Sequence, residues 1–202
     1  MEFNYLWIVC AVLGYLLGNV ETAVLLSKSM YHDDVRKHGS GNAGTTNMLR
    51  VFGMKSGIIT FVGDFSKGII AVLIGRLICG EVCGYICGAF AVLGHDFPVL
   101  FKFKGGKGVA TSLGVAWMVA PTIAAVATLV GFTIIYISQM VSLGSMIGFV
   151  GFTIATVLFN LDNIPLIIMC IVLLVLLLLR HTDNIRRIIR GEESKLFKRK
   201  TK

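Results

Sequence analysis

Apolar residues fill most of this chain in runs too long for a soluble core, and a few short polar stretches interrupt them. Runs of about 18 or more apolar residues predict helices that cross a bilayer. Apolar stretches, most of them of about that length, lie at residues 3–27, 54–79, 82–94, 108–138, 140–159 and 164–180. Between them fall the polar segments Lys28–Phe52 and His95–Lys107, and a basic tail covers 181–202. Backbone left unsatisfied in lipid is prohibitively costly, so the pattern predicts helix packed on helix. The expected class is an all-α, polytopic integral membrane protein.

Charge fixes the expected topology. Lys28, Arg36, Lys37 and Arg50 mark the first polar segment, and Lys102, Lys104 and Lys107 mark the second. The positive-inside bias places both, and the basic tail, on the cytoplasmic side. Two spans separate the first pair of segments, and an even number is also needed between Lys107 and Arg180. The 31-residue stretch Gly108–Ser138 must therefore be double. As one straight helix it would be about 46 Å long against a core of roughly 30 Å. Pro121 near its middle breaks it into 108–120 and 121–138. The expectation is seven spans, with the N-terminus outside and the C-terminus cytoplasmic. Arg76 near an outer end fits less well and must snorkel. Small residues four apart, Gly14 and Gly18, Gly53 and Gly57, Gly80, Gly84 and Gly88, and Gly144 and Gly148, predict close helix contacts.

Composition agrees. The chain has 202 residues, 55% of them hydrophobic and 15% charged, with a mean hydropathy of +0.81. It reads as one membrane-embedded domain over 1–202. No basic n-region or small-residue cleavage site opens the chain, so the first run reads as an uncleaved span. Of the 19 Lys and Arg residues, nine lie between Arg180 and Lys202. Charges that flank membrane spans point to anionic lipid and anionic substrate rather than to nucleic acid. In the tail, Ile185, Ile188 and Ile189 share a helical face among Arg186, Arg187 and Arg190, a pattern suited to the inner membrane surface. Cys10, Cys79, Cys83, Cys87 and Cys170 all sit in apolar segments and read as buried free thiols, with no metal site expected.

The polar interruptions carry the candidate chemistry. The first holds GSGNAGTTN, Gly39–Asn47, with Arg50 one turn later. Glycines free the backbone to turn N–H groups toward an anion, Ser, Thr and Asn add neutral donors, and Arg adds charge. A helix beginning near Thr45 or Thr46 would add its positive N-terminal end. The candidate phosphate-binding set here is Ser40, Gly41, Asn42, Gly44, Thr46, Asn47 and Arg50. The bland alternative is a flexible loop. The spacing is not that of a nucleotide P-loop. The second element is Gly105, Gly106, Lys107 and Gly108, a nest-like cradle or else a basic turn that serves topology. The third is RHTDNIRR, where His181 and Asn184 share a helical face and either start an interfacial helix or meet a phosphate.

Glu21, Asp64 and Lys67 are ionisable residues within or near spans and should face the interior. Asp64 and Lys67 have i, i+3 spacing and can pair, for structure or for catalysis. His95 and Asp96 lack the H-x-x-x-x-D spacing of acyl-CoA-dependent acyltransferases, and Ser40 shows no nearby base that would make it a nucleophile.

Taken together these motifs resemble the bacterial acyl-phosphate:glycerol-3-phosphate acyltransferases, seven-span integral membrane enzymes. The resemblance covers nearly the whole chain: DVRKHGSGNAGTTNMLRVFG at 34–53, DFSKG at 64–68, GHDFPVLFKFKGGKGVAT at 94–111, and RHTDNIRR followed by GEESK. It implies acyl transfer from acyl phosphate to the 1-hydroxyl of glycerol 3-phosphate at the cytoplasmic face of the bacterial cell membrane. The products would be lysophosphatidic acid and phosphate. No cofactor or metal is implied, and protein partners stay unassigned. Carried over by position, the family's motifs fall on Ser40, Asn42, Thr46, Asn47 and Arg50, on Gly105, Gly106 and Lys107, and on His181 and Asn184. The catalytic roles go to Ser40, Arg50, Lys107, His181 and Asn184. Two departures stand out. Gly44–Asn47 replaces the usual GATN, and Gly18-Asn19-Val20-Glu21 replaces a GSIP-like turn, which leaves the shape of the first span open. Acyl phosphate is a mixed anhydride with a good leaving group, so proximity and charge stabilisation suffice without a protein nucleophile. The hydroxyl proton goes either to a substrate phosphate or to His181. A phosphate-ester transporter is the rival class, and it would need polar residues running through to the outer face.

Overall fold

The computed structural model describes residues 5–196, which form nine α-helices and two short 3-10 turns. Residues 1–4 and 197–202 lie outside the described residues. They include the start of the first predicted span, Glu2, and the tail cations Lys198, Arg199, Lys200 and Lys202. The chain divides between Val119 and Ala120 into two compact units.

The first unit contains α1 (Leu6–Gly18), α2 (Thr22–Tyr31), α3 (Thr45–Cys79), α4 (Glu81–Asp96) and α5 (Val109–Val119). The first predicted span is therefore two helices. The break falls at Asn19–Glu21, where the GSIP-like turn is replaced. Breaking a helix inside an apolar segment frees carbonyls that lipid cannot satisfy. Here the Lys67 ammonium donates to Gly18 O at 3.3 Å and Val20 O at 2.8 Å, and the Asn19 amide donates to Tyr15 O at 2.6 Å. Asn19 Oδ1 also accepts from Leu100 N at 3.3 Å.

Helix α1 packs on α4 at backbone distance. A methyl group on Gly14 would collide with the Cys87 carbonyl, one on Gly18 with the Ala91 carbonyl, and one on Gly94 with the Tyr15 carbonyl. Gly68 and Gly114 bring α3 and α5 equally close. Gly53 and Gly80 depart from the expected packing role. Both have φ of +84°, and a methyl on either would meet nothing within 4 Å, so each bends the chain instead. Gly53 kinks α3 after its first two turns, and Gly80 separates α3 from α4. That bend also overturns the reading of five free thiols. It brings Cys79 and Cys83 together as a disulfide, with their Cα atoms 5.6 Å apart. Cys10, Cys87 and Cys170 remain free and buried. The sulfurs of Cys10, Cys79 and Cys83 lie within 4.8 Å of one another.

The second unit contains α6 (Pro121–Ser138), α7 (Val141–Phe159), α8 (Ile164–Arg180) and α9 (Thr182–Ile189). Pro121 opens α6, as the break predicted at that residue requires. Gly131 on α6 meets Gly144 and Gly148 on α7. Helix α9 bends by 58° from α8 and carries the expected alternation of Ile and Arg.

Among the described residues, five helical stretches are long and apolar enough to cross a membrane: Leu6–Tyr31, Thr45–Cys79, Glu81–Phe101, Pro121–Ser138 and Val141–Phe159. The bent α8–α9 pair makes a sixth if taken as one span. Large apolar side chains such as Leu77, Leu129, Tyr136 and Phe159 face outward, as lipid-facing positions do. The protein is an all-α, multi-pass integral membrane protein.

Candidate active site

In the first unit the two glycine-rich loops come together. The first follows α2, whose end at His32 takes the left-handed conformation that turns the chain. Asn47 organises this loop. Its Nδ2 lies within hydrogen-bonding distance of three carbonyls, Val35 O at 3.0 Å, His38 O at 3.1 Å and Asn42 O at 3.0 Å. Its Oδ1 accepts from Ser40 N at 2.9 Å. Gly39, at φ +60°, lies against that same Oδ1. Asn47 is buried, whereas Ser40, Gly41 and Arg50 are exposed and Asn42, Gly44 and Thr46 are half-buried. The Ser40 hydroxyl has the Asn42 amide at 3.5 Å and so neighbours an amide, not a base. Helix α3 starts at Thr45, as predicted, and no side chain caps its N-terminus.

The second loop is shaped by its surroundings. Lys102 and Phe103 both take left-handed conformations that turn the chain back after Val99–Phe101. Gly106 N then donates to His95 O at 3.1 Å. Gly105 and Gly106 are buried and Lys107 is half-buried. A methyl on Gly105 would collide with the His95 carbonyl, and one on Gly106 with the His95 imidazole. Gly108, at φ +64°, begins α5 through a 2.7 Å bond from Ser112 N to its carbonyl.

Arg36 joins the two loops, and sequence reasoning did not single it out. Its Nη1 donates to Phe101 O at 3.3 Å and Lys104 O at 3.2 Å. Its Nη2 pairs with Asp34 Oδ2 at 2.7 Å, and the guanidinium lies 5.7 Å from the Phe101 ring centroid. The hydrogen bond from Arg36 holds the Asp34 carboxyl down at about 2, and the same bond raises Arg36 above its usual range. The signal was present as the Asp-x-Arg spacing that opens the first motif.

The third motif belongs to the second unit. His181 and Asn184 are both buried. His181 Nδ1 lies 2.8 Å from Leu177 O, and since a carbonyl only accepts, Nδ1 carries the proton. In the neutral ring the lone pair is then on Nε2. Asn184 Nδ2 donates to Glu193 Oε1 at 2.5 Å, and Ser142 and Arg187 donate to the same carboxylate at 2.7 and 2.8 Å. Burial pushes the Glu193 carboxyl up, but these three hydrogen bonds outweigh it and hold the group below the usual carboxylate range. Glu193 lies in the GEESK stretch and also escaped the sequence reading. Glu21, Asp64 and Lys67 all face the interior as expected, and Asp64 pairs with Lys67 at 2.9 Å.

Apolar spanning helices with glycine-rich, cation-bearing loops define a membrane protein suited to an anionic partner. The chain belongs to the glycerol-3-phosphate acyltransferase family, whose pattern matches residues 8–191. It is 41% identical over 189 residues to the glycerol-3-phosphate acyltransferase of Thermoanaerobacter pseudethanolicus, covering 94% of this chain and 95% of that one. The Clostridioides difficile enzyme of the same name is 37% identical, covering 98% of each chain. Its fold is similar to that of PlsY (YgiH), an integral membrane glycerol 3-phosphate acyltransferase. The glycerol 3-phosphate form of PlsY aligns with a TM-score of 0.88 and 36% identity over 94% of each chain.

Proposed function

We propose that this protein transfers an acyl group from acyl phosphate to the 1-hydroxyl of glycerol 3-phosphate. The hydroxyl oxygen attacks the acyl carbon, the bond from that carbon to the phosphate oxygen breaks, and lysophosphatidic acid and inorganic phosphate leave. The observation that carries this reading is the joining of two glycine-rich loops by Arg36. Two phosphate-bearing substrates need two anion sites close together. Loop amides, the uncapped N-terminus of α3, Arg50 and Lys107 supply the first-unit donors. Within that set, Asn47 serves by shaping its loop. His181 and Asn184 keep the phosphate-binding role that the family resemblance implies.

Because phosphate is a good leaving group, catalysis rests on positioning and on stabilising charge. The hydroxyl proton passes to a substrate phosphate; in the competing route it passes to His181 Nε2. The reading includes seven spans, with the short α5, about 16 Å long, sheltered by its neighbours rather than spanning alone. Both units act as one acyltransferase domain in the bacterial cytoplasmic membrane, with the loops on the cytoplasmic side.

Purified protein given acyl phosphate and glycerol 3-phosphate should release inorganic phosphate and form 1-acylglycerol 3-phosphate without added cofactor, while acyl-CoA should fail as donor. No phosphate release from folded protein would overturn the assignment in favour of transport. His181→Ala separates the proton routes, since a general base contributes roughly 10²–10⁴-fold to rate. Loss mainly in KM would assign His181 to phosphate binding. Labelling of cysteines placed at positions 37, 104 and 195 in a cysteine-free background should occur only from the cytoplasmic side.

A further inference from the structure

Five ionisable side chains meet in the interior of the first unit: Glu21 at the start of α2, Asp64 and Lys67 on α3, and His95 and Asp96 at the end of α4. Each is at most 3% exposed. Such groups are expensive within membrane helices and mark function. None of them has a role in the reaction proposed above.

Lys67 is the hub of the cluster. Its ammonium reaches Val20 O at 2.8 Å, Asp64 Oδ1 at 2.9 Å and His95 Nδ1 at 2.9 Å, with Gly18 O further off at 3.3 Å. Glu21 Oε1 lies 3.4 Å from the same ring nitrogen and Asp64 Oδ1 3.9 Å from it. An ammonium only donates, so His95 Nδ1 accepts from it. The neutral imidazole then carries its proton on Nε2.

The Nε2 edge is where the second loop rests. A methyl on Gly106 would collide with Nε2, and it would lie 2.8 Å from both His95 Cε1 and the Ala43 carbonyl of the first loop. The His95 main chain holds the same loop, accepting from Gly106 N and closing against Gly105. One residue thus touches both glycines of the cradle at the place where the first loop approaches.

We propose that Lys67 and His95 are positioning residues for the second phosphate loop. The ammonium sets the plane and tautomer of the imidazole, and the imidazole holds Gly105 and Gly106 in register with the first loop. Neither touches substrate; both act through the backbone of residues 105–107. The inference rests on the acyltransferase reading given above. A displacement of about 1 Å at a reacting centre costs roughly 100-fold, so loosening the prop registers in kinetics before it registers in folding.

The test uses the full-length purified protein with acyl phosphate and glycerol 3-phosphate. His95→Phe keeps a planar ring and removes both nitrogens, while His95→Gln restores an amide donor near the Nε2 position. The expected result for His95→Phe is an unfolding midpoint near wild type and kcat/KM lowered by about 30- to 100-fold, chiefly through KM for one phosphate substrate. His95→Gln should recover most of that loss. The double variant Asp64→Asn/Lys67→Met removes the ammonium together with the carboxylate it pairs with, and should lose activity in the same way. A purely structural role would lower the unfolding midpoint and leave KM unchanged. Folded His95→Phe with wild-type KM and kcat, or no recovery in His95→Gln, overturns the proposal. Should His95→Phe fail to fold, the double variant decides on the same readouts. An inactive wild type would instead overturn the acyltransferase reading. Amide hydrogen exchange over residues 105–108, faster in His95→Phe than in wild type, would then decide the positioning role, and unchanged exchange would overturn it.

Discussion

The loops at residues 39–47 and 105–108 are shaped in opposite ways. In the first, one side chain does the shaping: the Asn47 amide gathers Val35, His38, Ser40 and Asn42 around itself. Two of its three glycines have room, since a methyl on Gly44 would meet nothing within 4 Å and one on Gly41 only the Arg36 carbonyl at 3.6 Å, while Gly39 lies against the Asn47 amide itself. In the second, the glycines do the shaping by exclusion, because His95 occupies the space that a Cβ at 105 or 106 would need. Similar glycine-rich strings in a sequence therefore arise from different physics. One loop depends on a set of hydrogen bonds, the other on the absence of side chains.

The contrast is broken most severely at Gly106. Gly106→Ala should lower kcat/KM by at least about 100-fold, because the cradle must shift by an ångström or more. Gly44→Ala should change stability by less than about 0.5 kcal/mol, as an uncrowded surface substitution does. Equal damage at the two glycines, measured by kinetics and thermal unfolding side by side, would erase the distinction.

Charge should matter alike in both loops. Arg50→Ala and Lys107→Ala should each cost about 1.5–3 kcal/mol in kcat/KM, as lost charged hydrogen bonds do, with unfolding midpoints unchanged. Wild-type kinetics in both variants would reduce these residues to topology signals.

Asn47→Ala should remove about 1–3 kcal/mol of stability by stranding buried carbonyls, and Asn47→Asp should not restore it, since a carboxylate cannot donate. Full stability in either variant would show that the first loop holds its shape without this amide.

The smallest effect concerns the link between the loops. The Asp34 carboxyl sits at about 2, depressed by Arg36. Its contribution is therefore complete above the ordinary carboxylate range and is lost as pH falls through about 2. Between pH 5 and 2 the unfolding midpoint should fall by the equivalent of about 1 kcal/mol more in wild type than in Asp34→Asn. Parallel acid curves would remove Asp34 from the link.

Much of this was legible in the sequence, because the signals were local. Pro121 announced a break and Thr45 a helix start. What escaped depends on residues far apart in the chain. The first apolar run reads as continuous because Asn19 and Glu21 interrupt it only briefly, while the group that satisfies its break is Lys67 on another helix. Arg36 reads as one more cation of an inner loop until the carbonyls of Phe101 and Lys104 come to it. Gly53 and Gly80 match the small-residue spacing of helix contacts, and only their positive φ reveals them as bends. Cys79 and Cys83 look separated by Gly80 and Glu81, yet that same bend is what brings them together.

The break at Asn19–Glu21 has a consequence for how the chain is made. Its freed carbonyls wait for an ammonium 49 and 47 positions further along. A ribosome adding about 5–20 residues each second leaves a gap of seconds between the two. During that gap, lipid favours an unbroken first helix that satisfies its own backbone. The bend is thus imposed after insertion, when α3 arrives beside α1 and α2. A chain lacking the Lys67 side chain would enter the bilayer normally and then complete its first hairpin more slowly, a delay of biogenesis rather than of targeting.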